Sequence, residues 1–302
     1  MSYCHEVGDI NELVVLEQEL GSGSYGRVYR GKLRSQARKI ADLAKAPSRV
    51  AVKENRKELT QHEAAKLVDE VKIIKLLRHK NIVRVYGCAH YPNEAKLYII
   101  SELIDGLDLY DHLRQHQLTR ADKIRLTRQL INATRHMHRK GVYHRDLKTE
   151  NLMVTKGGHL KVIDFGLSCA DPDDQKLGVC GGRAGTRGYM PYKTRYPESV
   201  EEYEENDWWA VIIVIFKIWL RNCPIIACSR NSIDRSDPQE YDLNPDLNEV
   251  DIPNLELFQK YFKAHYKTVT KNYVKYTNRE SAYREQLEYR KQLINRFARL
   301  KN

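Results

Sequence analysis

One octapeptide, His144-Arg145-Asp146-Leu147-Lys148-Thr149-Glu150-Asn151, constrains this chain more than any other stretch. It packs an acid, cations and an amide into a short loop, with apolar Gly141-Val142-Tyr143 leading in and Leu152-Met153-Val154 leading out. A carboxylate and an amide placed like Asp146 and Asn151 can face one polyanionic substrate from two sides. One group orients a hydroxyl and the other holds a metal, which is what phosphoryl transfer needs.

Upstream, Leu13-Val14-Val15-Leu16 reads as a strand running into Leu20 and the stretch Gly21-Ser22-Gly23-Ser24-Tyr25-Gly26-Arg27-Val28. The glycines allow a tight hairpin whose N–H groups lie over phosphates with no Cβ in the way. A lone G-x-G-x-x-G also suits dinucleotide folds, but those glycines open a helix, whereas Val28-Tyr29 here begins a strand. The basic stretch Arg34–Arg49 reads as an enlarged loop or short helix. Val50-Ala51-Val52-Lys53 reads as a strand ending in a cation, which taken alone is a solvated surface residue.

From about Gln61 to His79 the apolar spacing predicts a helix with Leu67, Val68, Val71, Ile74 and Leu77 on one face. Glu63 and Glu70 lie seven apart, and Glu70 is preferred as the partner of Lys53. Ile82–Tyr86 and Leu97–Ile100 read as strands. Ser101-Glu102-Leu103-Ile104-Asp105-Gly106 then changes from apolar to turn-like, as a hinge does. Leu109–Gln115 and Thr119–Lys140 read as helices. Leu152–Val154 and Leu160–Ile163 form a hairpin around Lys156-Gly157-Gly158, which delivers Asp164-Phe165-Gly166.

A chain of 302 residues makes one large domain or two lobes sharing a cleft. The N-terminus has neither a basic segment nor an apolar run, so a signal peptide is not expected. The most apolar run, Trp208–Leu220, contains Lys217 and is too short to span a bilayer; it predicts a buried core helix. Cys4, Cys88, Cys169, Cys180, Cys223 and Cys228 show no CxxC spacing, so reduced thiols in a cytoplasmic or nuclear protein are expected, without a zinc site. Of the net charge of +11, the segment from Lys260 onward carries +9, with twelve Lys and Arg against three Glu. A solvated helical face is the first reading, and docking to an acidic partner the second. Nucleic acid is not specifically indicated.

Taken together, these stretches resemble the eukaryotic-type protein kinase superfamily. Gly21–Val28, Val50–Lys53, Glu70, His144–Asn151 and Asp164–Gly166 stand in the family's order, and Gly185-Thr186-Arg187-Gly188-Tyr189-Met190 and Asp207-Trp208-Trp209 extend the likeness. The resemblance implies an α+β bilobal kinase fold, with a β-rich small lobe over residues 1–103. A mostly helical large lobe would follow over 104–302, and one kinase domain would run over about 13–300. It implies that Asp146 orients and deprotonates the acceptor hydroxyl and that Lys148 steadies the transferred group. Asn151 and Asp164 hold magnesium, or manganese in its place. Lys53, held by Glu70, binds the α- and β-phosphates of ATP.

By the same resemblance, the glycine-rich stretch from Leu20 through Gly21, Ser22, Gly23, Ser24, Tyr25 and Gly26 covers the nucleotide. Adenine lies between Val28 and Ala51 above and Met153 below, beside Ser101, with backbone contacts at Glu102 and Ile104. Asp108 meets the ribose, and Ile74, Val85, His144 and Phe165 stack as an apolar spine based on Asp207. Lys148 and Thr186 match the serine/threonine branch. Protein substrates with Ser or Thr acceptors are therefore implied. The alternative is a pseudokinase or scaffold that binds nucleotide and a partner without efficient catalysis, although Lys53, Asp146, Asn151 and Asp164 are all present.

The chain also departs from the family. Met190-Pro191-Tyr192 replaces the usual Ala-Pro-Glu, so a buried Glu–Arg latch is absent or replaced. Ile212 stands where glycine is usual, and Arg221–Pro253 reads as loop. Such a compact, divergent member resembles those that large DNA viruses or other parasites encode. Arg145 implies control by an anionic loop, yet Cys169–Gly185 holds no Ser, Thr or Tyr. Asp171, Asp173 and Asp174 are candidates for a permanent charge there, or form a merely solvated loop. The run Glu201–Glu205 either favours basic peptides or is a solvated helix start. Arg284–Leu300 predicts a helix with Leu293, Phe297 and Leu300 on one side.

Overall fold

The computed structural model describes residues 4–23, 26–55, 60–91, 96–170, 180–182, 184–191, 199–221, 256–257, 260–261 and 279–300. The apolar runs of the first hundred residues become a six-stranded sheet in the order β1-β5-β6-β4-β3-β2. Its strands are β1 (His5–Glu6), β2 (Val14–Gly23), β3 (Gly26–Leu33), β4 (Arg49–Glu54), β5 (Val85–His90) and β6 (Leu97–Glu102). The glycine-rich stretch closes the β2–β3 hairpin, with Gly21 opposite Val28 and Gly23 opposite Gly26. Gly26 adopts φ 155°, and a Cβ there would sit 2.1 Å from the Glu54 carbonyl, so no other residue fits.

Helix α1 (Gln61–Leu76) packs against this sheet, burying Val68, Val71 and Ile74 as its spacing predicts, and Ile73 beside them. The stretch Arg34–Arg49 forms a short 3-10 turn at Ser35–Lys39 and buries Ala37, Leu43 and Ala46. Asp42 in it pairs with Lys75 of α1 at 2.6 Å. The strand expected at Ile82–Tyr86 instead begins at Val85. Ile82 bridges Val162, and the Val83 N–H donates to the Val162 carbonyl at 2.9 Å, so the first half of that apolar run joins the other part of the molecule.

The second part of the chain is mostly helical. It contains α2 (Leu109–Gln115), α3 (Arg120–His138), α4 (Val200–Leu220) and α5 (Arg279–Ala298). The short strands are β7 (Gly106–Asp108), β8 (Val142–Tyr143), β9 (Leu152–Thr155), β10 (Leu160–Val162) and β11 (Cys169–Ala170). The expected hairpin pairs β9 with β10, and β8 pairs with β11, so the octapeptide leaves β8 and enters β9. This is the α+β bilobal kinase architecture.

From Trp208 to Phe216 helix α4 is apolar on every side and every residue is buried, Ile212 included, as in a central core helix. Ser199 caps its first turn by accepting the Glu202 N–H. Among the described residues no helix is long and apolar enough to cross a membrane. Helix α5 buries Leu293 and Phe297 against this core, with the Phe297 ring 6.0 Å from Trp219. The packed reading of the basic C-terminal helix therefore holds.

The acidic run at the start of α4 is not wholly solvated. Glu205 is 1% exposed and pairs with Arg290 of α5 at 3.1 Å. It also accepts from the Tyr261 hydroxyl at 3.0 Å and the Gln286 amide at 3.1 Å. Burial pushes its carboxyl above the ordinary value, and Arg290, Tyr261 and Gln286 pull it back. A buried Glu–Arg pair thus ties α4 to α5. Removing one partner strands a buried charge, so Arg290→Ala costs about 3 kcal/mol in denaturant unfolding. Adding Glu205→Leu to Arg290→Met recovers most of that loss.

The expectation of reduced thiols is corrected. Cys4 is bonded to Cys88 and Cys169 to Cys180, with Cα separations of 4.8 and 5.0 Å. The parallel register of β1 on β5, His5 opposite Ala89, sets Cys4 beside Cys88. The partners lie 84 and 11 residues apart, so no local spacing reveals them, and the argument for a reducing compartment falls with the thiols. Cys223, Cys228, Asp171, Asp173, Asp174 and most of Arg221–Pro253 lie outside the described residues.

Candidate active site

The loop after β8 is shaped from below by Asp207. Its carboxylate, 1% exposed, accepts the backbone N–H of His144 and of Arg145, each at 2.8 Å, and meets the His138 ring at 3.0 Å. These contacts outweigh burial and hold the Asp207 carboxyl below its ordinary value. They also hold Arg145 at φ 67°, a left-handed conformation costing about 1–3 kcal/mol for a residue with a Cβ. The resulting turn presents Asp146 at the mouth of the cleft. The His144 ring packs against Phe165 with centroids 4.8 Å apart and planes tilted by 57°, and Ile74 and Val85 are buried in the same core as Phe165.

Three side chains converge on the Asp146 carboxylate. The Thr186 hydroxyl donates to Oδ1 at 2.6 Å, while Lys148 Nζ lies 2.9 Å from Oδ2. Lys148 also donates to the Thr186 oxygen at 2.8 Å. Asn151 donates from Nδ2 to Oδ2 at 3.0 Å and to the Asp146 carbonyl at 2.9 Å. With Nδ2 so committed, the amide's oxygen is the end of Asn151 suited to a metal.

The second cluster joins three elements. Lys53 of β4 donates to Glu70 of α1 at 3.2 Å and to Asp164 at 2.9 Å, confirming the preferred pairing. Burial alone lowers the lysine's proton affinity, but the two carboxylates outweigh it and keep Lys53 a firm cation. Burial pushes the Glu70 carboxyl up, and Lys53 opposes that push. The Asp164 carboxyl stays low despite burial because Lys53 faces it. Asp164 itself sits at φ 57°, a strained conformation of the kind found at functional sites.

A cavity of about 530 Å³ lies between these clusters and the sheet. Leu20, Gly21, Gly26 and Val28 roof it, Ala51 and Met153 line it, and Ser101, Glu102, Ile104 and Asp108 border its inner and outer edges. Lys53, Glu70, Asn151 and Asp164 close the polar end. Ser22 is exposed on β2 and does not line the cavity, Gly23 belongs to the hairpin, and Ser24 and Tyr25 lie outside the described residues. Asp108 has a second job that its position did not announce: its carboxylate caps α2 by accepting the Asp111 N–H at 2.8 Å.

A family model described as the protein kinase domain matches residues 14–275. The chain belongs to the protein kinase family. It is 33% identical over 216 residues to Aurora kinase of Schizosaccharomyces pombe, covering 70% of this chain and 56% of the relative. It is 32% identical over 208 residues to CBL-interacting protein kinase 32 of Oryza sativa subsp. japonica, covering 67% and 44%. Aurora kinase C of Mus musculus is 30% identical over 209 residues, covering 68% and 69%. The chain spans about half the length of the first two of these relatives.

Three supports of this kinase site escaped sequence reasoning. Lys217, the charge inside the apolar α4, donates to the Tyr189 hydroxyl at 2.6 Å, and that hydroxyl meets Thr149 of the loop at 2.9 Å. Lys161 of β10 pairs with Glu102 at 2.6 Å and so braces the hinge. His138 supports Asp207. Lys217 and Lys161 are each a single charge in an apolar stretch, a signal that marks an anchored side chain only once its partner is known, whereas His138 lies among other basic residues and carries no such mark.

Behind Ser101 the cavity continues between Ile74, Val83 and Ile99 to Glu70. A small side chain leaves this rear space open to bulky adenine analogues. Ser101→Phe therefore weakens inhibition by such analogues at least about tenfold while ATP turnover persists, measured as inhibition constants on both proteins.

Proposed function

We propose that this chain is an active serine/threonine protein kinase that transfers the γ-phosphate of ATP to protein hydroxyls. The observation that carries the proposal is the triangle of Asp146, Lys148 and Thr186, with edges of 2.6, 2.8 and 2.9 Å. It presents a carboxylate and an ammonium at one point, where an acceptor hydroxyl can be deprotonated and a transferred phosphoryl group can be steadied. In this reading residues 1–103 and 104–302 are the two lobes of one kinase domain.

Members of the family use ATP and a divalent metal. The residues here fit both. Gly21 leaves open space where a Cβ would stand, and Lys53 lies at the same end as Asn151 and Asp164. The Asp164 carboxylate and the Asn151 amide oxygen form a hard donor pair suited to magnesium, or manganese. Among the described residues no three His, Cys, Asp or Glu side chains converge as a metal cage, so further oxygens would come from the nucleotide's phosphates. The metal, when bound, supplies positive charge that offsets the anionic transition state. Lys53 holds the α- and β-phosphates, Glu70 holds Lys53, and Asp146 orients the hydroxyl and accepts its proton. Catalysis comes from positioning and electrostatics rather than a covalent intermediate.

Protein substrates follow from this reading. Asp108, Asp111 and Glu150 border the cavity's mouth, which supports basic peptides among them. The charged face of α5 and the chain around it remain a candidate dock for an acidic partner. The test is transfer of radiolabel from ATP to peptide libraries that differ only in a Ser, Thr or Tyr acceptor. Label in the Ser and Thr pools supports the reading, and label confined to Tyr or absent from all three overturns it.

A further inference from the structure

Arg145 adjoins Asp146, yet the segment Cys169–Gly185 offers it no residue that can carry a phosphate. The structure gives the guanidinium other partners. Arg145 donates from Nη2 to the carbonyls of Gly181 and Gly182, each at 2.8 Å, and lies 5.6 Å over the Tyr203 ring. Those carbonyls directly follow Cys180, which is bonded to Cys169.

Cys169 is itself fixed. It stands opposite Tyr143 in the β8–β11 pair, just ahead of the octapeptide, and is buried with Tyr143 and Tyr203, while Cys180 and Val200 pack against them. Beyond Cys180 the chain touches the catalytic loop twice more. A Cβ on Gly185 would lie 2.7 Å from the Arg145 carbonyl, and Thr186 donates to Asp146. One covalent bond therefore anchors the start of a stretch that meets Arg145 and Asp146 in turn.

We propose that Cys169 and Cys180 form a redox modification site that does the work of a phosphorylated activation segment. Closing the bond holds the Gly181 and Gly182 carbonyls on Arg145 and sets Thr186 against Asp146. This deepens the kinase reading and rests on it. The two thiols react with a low-molecular-weight disulfide such as oxidised glutathione. Thiol-disulfide exchange forms the Cys169–Cys180 bond, breaks the glutathione S–S bond and passes two electrons and two protons to it as two thiols. Reduction reverses the exchange. The tie shortens the range of conformations open to the intervening residues, so the downstream contacts are populated more fully when it is closed.

The test uses the full chain carrying Cys4→Ser, which removes the other described bond. It is equilibrated in oxidised or reduced glutathione, with cysteine pairing mapped by peptide mass. Reduction is expected to lower kcat about tenfold and to leave KM for ATP within about twofold. Cys180→Ser shows the low rate in both buffers, and Arg145→Ala shows no redox response. Equal kcat in the two buffers, an undiminished response in either variant, or alkylatable Cys169 and Cys180 after oxidation would overturn the proposal. Amide exchange over residues 180–186 gives a readout independent of catalysis, and the proposal expects it to speed up on reduction. If the oxidised chain transfers no phosphate but exchange still changes, the kinase reading fails and the tether stands. Unchanged exchange removes the tether.

Discussion

Asp146→Asn is expected to lower kcat by about 10³-fold while leaving nucleotide binding nearly unchanged. The amide keeps the shape of the side chain and can still meet the Thr186 hydroxyl and Lys148, which lie 2.6 and 2.9 Å from the carboxylate oxygens. It cannot accept the acceptor's proton. Asp146 does not line the adenine cavity, whose polar end is made by Lys53, Glu70, Asn151 and Asp164, so affinity for ATP depends on other groups. Steady-state rates and nucleotide titration on the same preparation separate these effects. A variant with the parent's kcat would show that Asp146 is not the proton acceptor.

Lys53→Ala has the second large effect, because it removes a cation from two carboxylates at once. The loss of phosphate contact lowers kcat/KM about 10²-fold. Stability also falls, on the order of 3 kcal/mol at neutral pH, since Glu70 is 5% exposed and loses its counter-charge at 3.2 Å.

The pH dependence has a definite sign. The folded pKa of Glu70 lies above its unfolded value, so its contribution is present below the ordinary value and is lost as pH rises through the folded one. Without Lys53 that folded value climbs further. Asp164 behaves oppositely: Lys53 keeps its folded pKa low, a stabilisation present above the ordinary value, and the variant loses it there. Both changes make the variant's deficit in Tm larger near about pH 8 than near about pH 5. A deficit independent of pH would show that Lys53 is not coupled to these carboxylates.

The fold was legible wherever its signal is local. The glycine hairpin, α1, α2, α3 and the β9–β10 hairpin each carry their own periodicity and turn residues, and they form close to where that pattern places them. The candidate site was legible for a related reason: Asp146, Asn151 and Asp164 sit on one loop and the hairpin that follows it.

What escaped was pairing across the chain. Glu205 looked like part of a solvated acidic run until Arg290 arrived from α5 to neutralise it. Lys217 looked like a flaw in a core helix until the Tyr189 hydroxyl supplied its partner. Cys169 and Cys180 became neighbours only through the return of the activation segment, and Cys4 reached Cys88 only by joining the sheet edge. Ile82 failed as a strand residue because its partner, Val162, belongs to another sheet.

The central claim is that the constellation around Asp146 transfers phosphate without prior phosphorylation of the chain. The direct measurement uses protein shown to be phosphate-free by intact mass and kept oxidised, incubated with radiolabelled ATP, magnesium and a basic seryl peptide. Label on the peptide's serine, reduced about 10³-fold by Asp146→Asn, is the predicted result. Saturable ATP binding with no label above the Asp146→Asn background would contradict it and leave a nucleotide-binding scaffold in its place.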